Sequence, residues 1–204
     1  MALMGGTSGA ARSRNRRGQG ELLREEIVTA ALRMLDELGD EQLLSLRAVA
    51  REVGIAATSV YLHFADRDAL VAAALERYHR DMIEAVDTAA AEAGDPVGRL
   101  RARVQARGDW IWRHPGLYRV LHEGSVSSES VGQCKQELAD RTTAAVREVM
   151  EAGLAPEDDP EIVALDLRSA VHGAVSMRLH QPDVVWPPLE AQVERYLKKI
   201  VGVR

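Results

Sequence analysis

The residues Ala50-Arg51-Glu52-Val53-Gly54-Ile55-Ala56-Ala57-Thr58-Ser59-Val60-Tyr61-Leu62-His63-Phe64-Ala65-Asp66-Arg67-Asp68-Ala69-Leu70 read as two short helices around a tight turn, running into a third. A corner of this kind is either generic packing or a helix-turn-helix that reads DNA, and the second needs particular residues. Ala50 must be small because the following helix crosses close to it. Gly54 relieves the turn, where a positive φ is needed. Val60, six residues later, fills the angle between the helices, helped by Val53 and Ile55. The only Phe of the chain, Phe64, stands at the junction with the next helix.

Working outward, the apolar positions Leu23, Ile27, Ala30, Ala31, Met34, Leu35 and Leu38 form a 3.6-residue stripe closed by Gly39. Ser45 caps a helix over 46–53, a second fits 57–63, and Asp66 caps a run through Leu70, Leu75, Tyr78, Met82 and Val86 up to Gly94. No proline precedes Pro96, and Asp95-Pro96 reads as an N-cap with proline in the first turn. Further helices are expected over about 97–113, 116–122, 129–152 and 160–180, with a last one carrying Leu189, Val193, Tyr196, Leu197 and Ile200. No stretch alternates with period two. The expected fold is all-α, with about nine helices and no internal repeat.

The 204 residues suffice for a sizeable core, and 46% hydrophobic with 28% charged residues is globular composition. The lone Cys134 excludes an internal disulfide framework and a cysteine-built zinc site, and fits a reducing cytoplasm. No uncharged apolar run reaches membrane-spanning length, so no membrane association is expected. The net charge of −5 leans against nucleic acid, but it is unevenly placed. Residues 1–20 carry Arg12, Arg14, Arg16 and Arg17 and no acid, whereas 21–80 hold 7 basic and 11 acidic side chains and 81–204 hold 15 and 20. The glycine-rich first segment is expected to be a mobile basic arm.

The chain resembles the TetR family of bacterial transcription regulators over about 50 residues, from Ile27 to Leu75. The resemblance rests on the first-helix stripe, on Ser45-Leu46-Arg47-Ala48-Val49-Ala50 and Gly54-Ile55, and on Tyr61-Leu62-His63-Phe64 followed by Arg67-Asp68-Ala69-Leu70. Ala56 departs from the pattern, since the family often has a capping Ser there; the missing cap costs about 1 kcal/mol. The resemblance implies a three-helix DNA-binding domain at 21–66, behind the arm at 1–20, and a helical ligand-sensing and dimerisation domain at 67–204. Trp112-Arg113-His114-Pro115-Gly116-Leu117-Tyr118 and Val171-His172-Gly173 resemble a C-terminal subtype named for a Trp-His-Gly signature, with Val171 in place of the Trp.

The recognition helix offers Ala57, Thr58, Ser59 and Leu62 to the major groove. Thr58 and Ser59 would hydrogen-bond base edges, and Ala57 and Leu62 would touch thymine methyls. Ser45 and Arg47 belong to the same face from the preceding helix, with Arg47 the better guanine reader or phosphate clamp. By family analogy Tyr61, His63 and Arg67 bond phosphates, and Arg12, Arg14, Arg16 and Arg17 track the backbone. The effector pocket is expected among Trp110, Tyr118, Leu121, Met150, His172 and Met177, with mostly aliphatic and small neighbours. The helix from Pro160 has apolar residues on more than one face, and with the last helix it is expected to pair with a second copy.

No metal site or cofactor is expected: His114, His122, His172 and His180 form pairs eight residues apart, too far for an i,i+4 chelate. Catalytic motifs are absent, and Cys134, with Lys135 beside it to lower its pKa but no evident His partner, is expected to be a buried or merely tolerated cysteine. The expected function is a cytoplasmic, non-enzymatic, homodimeric repressor that binds a near-palindromic double-stranded DNA operator and is released by a small-molecule effector. The alternative is a helical small-molecule-binding or enzymatic protein with a vestigial helix-turn-helix. A gel shift separates the two.

Overall fold

A computed structural model of the chain describes residues 19–126 and 128–203. Among them are nine α-helices and no strand: α1 (Gln19–Leu38), α2 (Leu46–Val53), α3 (Ala57–Tyr61), α4 (Arg67–Ala91), α5 (Pro96–Arg113), α6 (Pro115–Glu123), α7 (Glu129–Glu151), α8 (Pro160–His180) and α9 (Leu189–Tyr196). A 3₁₀ turn at Glu41–Leu43 and a closing π turn at Leu197–Val201 complete the order. Local chemistry explains most boundaries. Ser45, Asp66, Asp95, Ser128 and Asp159 each accept a backbone N–H at the start of α2, α4, α5, α7 and α8. Helix α1 begins at Gln19, inside the segment expected to end at residue 20, and α3 stops two residues before the expected His63.

The three N-terminal helices close around Ile27, Ala31, Leu35, Val49, Ala50 and Val60, all buried. The same core continues through Leu70, Leu75 and Tyr78 of α4 and takes in Leu117, Val120 and Leu121 of α6. The apolar packing therefore crosses the boundary expected at residue 66. A second core joins α5, α7, α8, α9 and the π turn around Leu100, Val146, Leu167, Val193 and Leu197. Here the structure redirects one expectation: the stripe of the last helix turns into its own core, where Val193 and Leu197 are buried, instead of outward. Helix α8 is two-faced as its pattern implied. Val163, Leu167, Val171 and Ala174 point inward, while Ile162 is 57% and Met177 46% exposed.

Candidate functional site

Gly54 ends α2 in the left-handed region at φ 74°, its N–H reaching back to the Ala50 and Arg51 carbonyls, so the turn has the backbone its spacing implied. Val60 and Phe64 are buried beneath the recognition helix. Opposite them, Tyr61 is exposed and Leu62 is 84% exposed. Arg47 and Thr58 are exposed on the same corner, Ala57, Ser59 and His63 are half-buried, and Ala56 supplies no side-chain cap to α3. An exposed leucine at the C-terminal end of this helix is costly in water and apt for a groove.

Two expected readers are already engaged within the protein. The Ser45 hydroxyl accepts the Ala48 N–H at 3.2 Å, and Arg67 is tied to Asp68 at 2.8 Å and to the Gln42 side-chain oxygen at 2.7 Å. Ser45 thus holds the start of α2, and Arg67 must exchange partners to reach a phosphate. Arg12, Arg14, Arg16 and Arg17 lie outside the described residues.

Behind this domain, α4, α5, α6, α7 and α8 line a cavity of about 440 Å³ that opens to solvent beside exposed Lys135, Gln136, Leu165 and Ser169, within the range that accommodates small-molecule ligands. Tyr118, Leu121 and His172 line it. The other expected ligand residues lie elsewhere. Trp110 lines a different hollow and stacks against His114, with centroids 4.9 Å apart. Met150 packs into the second core, and Met177 faces solvent on α8. Helical period assigns faces, and these three share a face with the right helices but not the right neighbours.

The wall is also far more polar than expected. Tyr78, His79, Arg107, His122, Lys135 and Arg168 line it, and no Asp or Glu does. The Tyr118 hydroxyl sits 2.5 Å from His172 Nδ1, and the His122 ring stacks near both, 4.5 Å from Tyr118 and 4.8 Å from His172. Burial, with the nearby His172, Lys135, Arg107 and His79, pushes His122 down to about 4. Burial with Arg107 also lowers His172, and burial pushes Tyr118 up to about 12. Among the described residues no group of His, Cys, Asp and Glu is arranged to hold a metal. Burial, with Glu76 and Glu137, raises the Cys134 thiol, contrary to activation by Lys135; that ammonium donates to the Leu121 carbonyl at 3.2 Å.

Sequence reading missed His79 and Arg107, though a signal for both was present. Arg107 continues the Leu100, Val104, Ile111 stripe at helical spacing, and His79 adjoins Leu75, Tyr78 and Met82. A polar residue on an apolar stripe is where a helical bundle admits a ligand.

His79 is 2% exposed, and burial together with Lys135 of α7 and Arg107 of α5 pushes it down to about 4; Tyr78 on its own helix and His122 on α6 complete its surroundings. The unfolded chain protonates this imidazole near pH 6.5 and the folded chain does not until about pH 4, so the unfolded state binds more protons between the two. Stability is full above that window and falls as pH drops through it. Denaturant titrations at about pH 7.5 and pH 5 should show wild type losing about 2 kcal/mol more than His79→Gln; equal losses would refute a neutral buried His79.

The hollow beside Trp110, about 490 Å³, lies between α1, α4, α5 and α6. Its charged groups are mostly paired: His114 with Asp36 at 3.0 Å, Arg33 with Glu52, and Asp81 with Arg77. Asp36 also accepts the Gly116 and Leu117 N–H groups at 2.9 and 3.1 Å, capping α6 from the end of α1. At the other end of α6, buried Glu41 accepts the Ser125 N–H at 2.7 Å and its hydroxyl at 3.0 Å. Burial works to raise Glu41, but these bonds and its own N–H outweigh it and hold the carboxyl below its usual range.

Residues 27–74 match the family model described as bacterial regulatory proteins, tetR family, and residues 100–200 match the model described as tetracyclin repressor-like, C-terminal domain. Nucleoid occlusion factor SlmA of Vibrio atlanticus is 24% identical over 187 residues, covering 84% of this chain and 95% of its own. A solved protein of unknown function from Rhodococcus sp. RHA1 superposes with a TM-score of 0.76 at 25% identity, over 89% of this chain and 95% of its own. SmeT of Stenotrophomonas maltophilia, described as the repressor of the multidrug efflux pump SmeDEF, superposes with a TM-score of 0.69 at 24% identity, over 89% and 90%. No helix among the described residues is long and apolar enough to cross a membrane.

Proposed function

The chain belongs to the TetR family of bacterial DNA-binding transcription regulators, and from that premise we propose that it is a homodimeric repressor released from a near-palindromic operator by a small molecule. The repressor direction is carried over from SmeT's description. The observation that supports the reading best is the position of α6. Its Tyr118, Leu121 and His122 line the cavity, while both its ends are held by carboxylates of the DNA-binding half, Asp36 and Glu41. A ligand that displaces α6 displaces α1 and the turn before α2. Helix α4 carries the same message, since Tyr78, His79 and Met82 line the cavity and Leu70 packs under the recognition helix. Coupling of about 1–3 kcal/mol changes operator affinity about 5–150-fold.

In the dimer the two recognition helices stand about 34–36 Å apart, or a multiple of that, to meet major grooves on one face of the duplex. The exposed face of α8, with Ile162, Leu165 and Met177, is the pairing surface. Arg47, Thr58 and Leu62 meet the bases; Tyr61, His63 and the arginines at 12–17 meet phosphates.

Fluorescence anisotropy on DNA from upstream of the gene tests this, with excess unrelated DNA as competitor. We expect competitor-resistant binding, and deletion of residues 1–17 should weaken it and flatten the plot of log affinity against log salt. Binding no stronger than to unrelated DNA would return the chain to the alternative, a helical ligand-binding protein with an idle helix-turn-helix.

A further inference from the structure

The wall of the 440 Å³ cavity has two features that ordinary packing does not produce. The first is its charge. Arg107, Lys135 and Arg168 line it with no carboxylate, in a chain of net charge −5. One layer away the bundle is neutralised in the usual manner: Arg103 of α5 donates to Asp87 at 2.7 Å, and Arg141 of α7 pairs with the same carboxylate. Arg107, one turn further along α5, has no such partner. Burial, and after it the like charge of Arg168, work against its protonated form, while Tyr118 and Tyr78 favour it. The second feature is the set of buried polar atoms without a hydrogen-bond partner. Six such side-chain atoms occur among the described residues, and four belong to this wall: Tyr78 Oη, both ring nitrogens of His79, and Arg107 Nε. Tyr78 and His79 are each only 2% exposed. Buried polar groups are nearly always satisfied, and Arg107, half-buried as a residue, is sealed from solvent at the very Nε that lacks a partner. Four orphaned atoms on one wall mean that the wall is built for something that supplies the missing partners.

We propose that the effector is an anion. Its carboxylate or phosphate head sits against Arg107 and Arg168, a hydrogen-bonding group meets His79 and Tyr78, and an uncharged apolar body lies along Met82, Ile111 and Leu138. This deepens the regulator reading above by naming the effector's chemistry, and it rests on that reading only for the word effector. A planar guanidinium suits either head, since both carboxylate and phosphate accept its paired N–H groups. A cationic ligand is excluded by the wall charge. A neutral one would leave Arg107 as unpaired as before.

The test uses the full chain and a set of probes with one carbon skeleton: decanoate, decyl phosphate, decanol and decylamine, with inorganic phosphate and acetate at matched ionic strength. Binding is read by thermal shift and calorimetry. We expect decanoate or decyl phosphate to bind at least tenfold more tightly than decanol and decylamine, and the stronger of the two identifies the head. Arg107→Met should remove this preference, lowering affinity for the preferred anion at least tenfold with little change for decanol. The same variant should melt no lower than wild type in the absence of ligand, because it removes a half-buried guanidinium that has no carboxylate partner and a buried Nε that has no acceptor. A lower melting temperature for ligand-free Arg107→Met would make Arg107 structural and overturn the proposal. Equal affinity for decanol and the anions, or no anion-selective shift with any probe, would overturn it as well. Operator binding by the same preparations is scored separately: intact operator binding without anion selectivity sinks this inference alone, and anion selectivity without operator binding sinks only the regulator reading.

Discussion

Gly116→Ala should destabilise the protein by about 3 kcal/mol or more, a fall in melting temperature of roughly 10 °C for a chain of this size. Gly116 lies at the start of α6, where that helix crosses the end of α1 so closely that its N–H bonds the Asp36 carboxylate at 2.9 Å. A Cβ built there would overlap the Asp36 carbonyl oxygen, far inside van der Waals contact, and fall 2.6 Å from its carbonyl carbon. Both obstacles are backbone, so no rotamer change relieves the contact. The helices must separate, which also breaks the Asp36 bonds to residues 116 and 117 and exposes Leu117, buried in the first core. Gly132→Ala in α7 is the control: a Cβ there meets nothing within 4 Å, so helix propensity alone should act, a gain of up to about 1 kcal/mol. A change of less than about 2 °C for Gly116→Ala would show that α1 and α6 are not locked together. It would also remove the mechanical link on which the proposed release by a ligand rests. In the same variant, residual operator binding should lose its response to effector more than its affinity.

The contrast between Gly54 and Gly116 shows what a single sequence discloses. Gly54 is legible because everything it answers to lies within six residues: the Ala50 carbonyl it caps, the α2 end it turns and the Val60 that fills the corner. Gly116 answers to Asp36, eighty residues away, and no local pattern announces a helix whose N-terminus is capped by another helix. The same division runs through the candidate sites. Tyr61, Leu62, Val60 and Phe64 alternate outward and inward as their spacing implies, since a short helix on a known turn leaves little freedom. Met150 and Met177 are apolar and stand on helices that line the cavity, yet one fills the second core and the other faces solvent. Periodicity fixes the angle of a side chain about its own axis; which neighbour that angle meets depends on how the helices cross. Arg107 was the opposite error. Its place on the Leu100–Ile111 stripe was visible, but an arginine is easily discounted as a solvated gap in an apolar face.

Ile162→Arg combined with Met177→Arg should convert the protein to a monomer by light scattering and lower operator affinity at least 100-fold. Both side chains stand on the outer face of α8, 57% and 46% exposed, with Leu165 between them 52% exposed. Ser169 is exposed on the same helix, and Gly173 has open space around it, so a second helix can come close there. The segment after α8 extends the apolar surface with Val184 and with Val185, which is 97% exposed. A stable pairing needs about 1,200–2,000 Å² of buried surface in total, and α8 with this segment carries Ile162, Leu165, Met177, Val184 and Val185, five of the twelve large apolar side chains exposed among the described residues. Two arginines per chain place four like charges within a symmetric contact along α8, where desolvation and repulsion both oppose pairing. The affinity loss follows from valency. Each reading head offers modest contacts, since α3 has no side chain for bidentate base recognition, and binding the second half-site as an intramolecular event is worth about 10²–10⁴. Because both positions face solvent within one chain, the helical content of the variant should match wild type by circular dichroism. A variant that remains dimeric and binds operator normally would move the interface off α8.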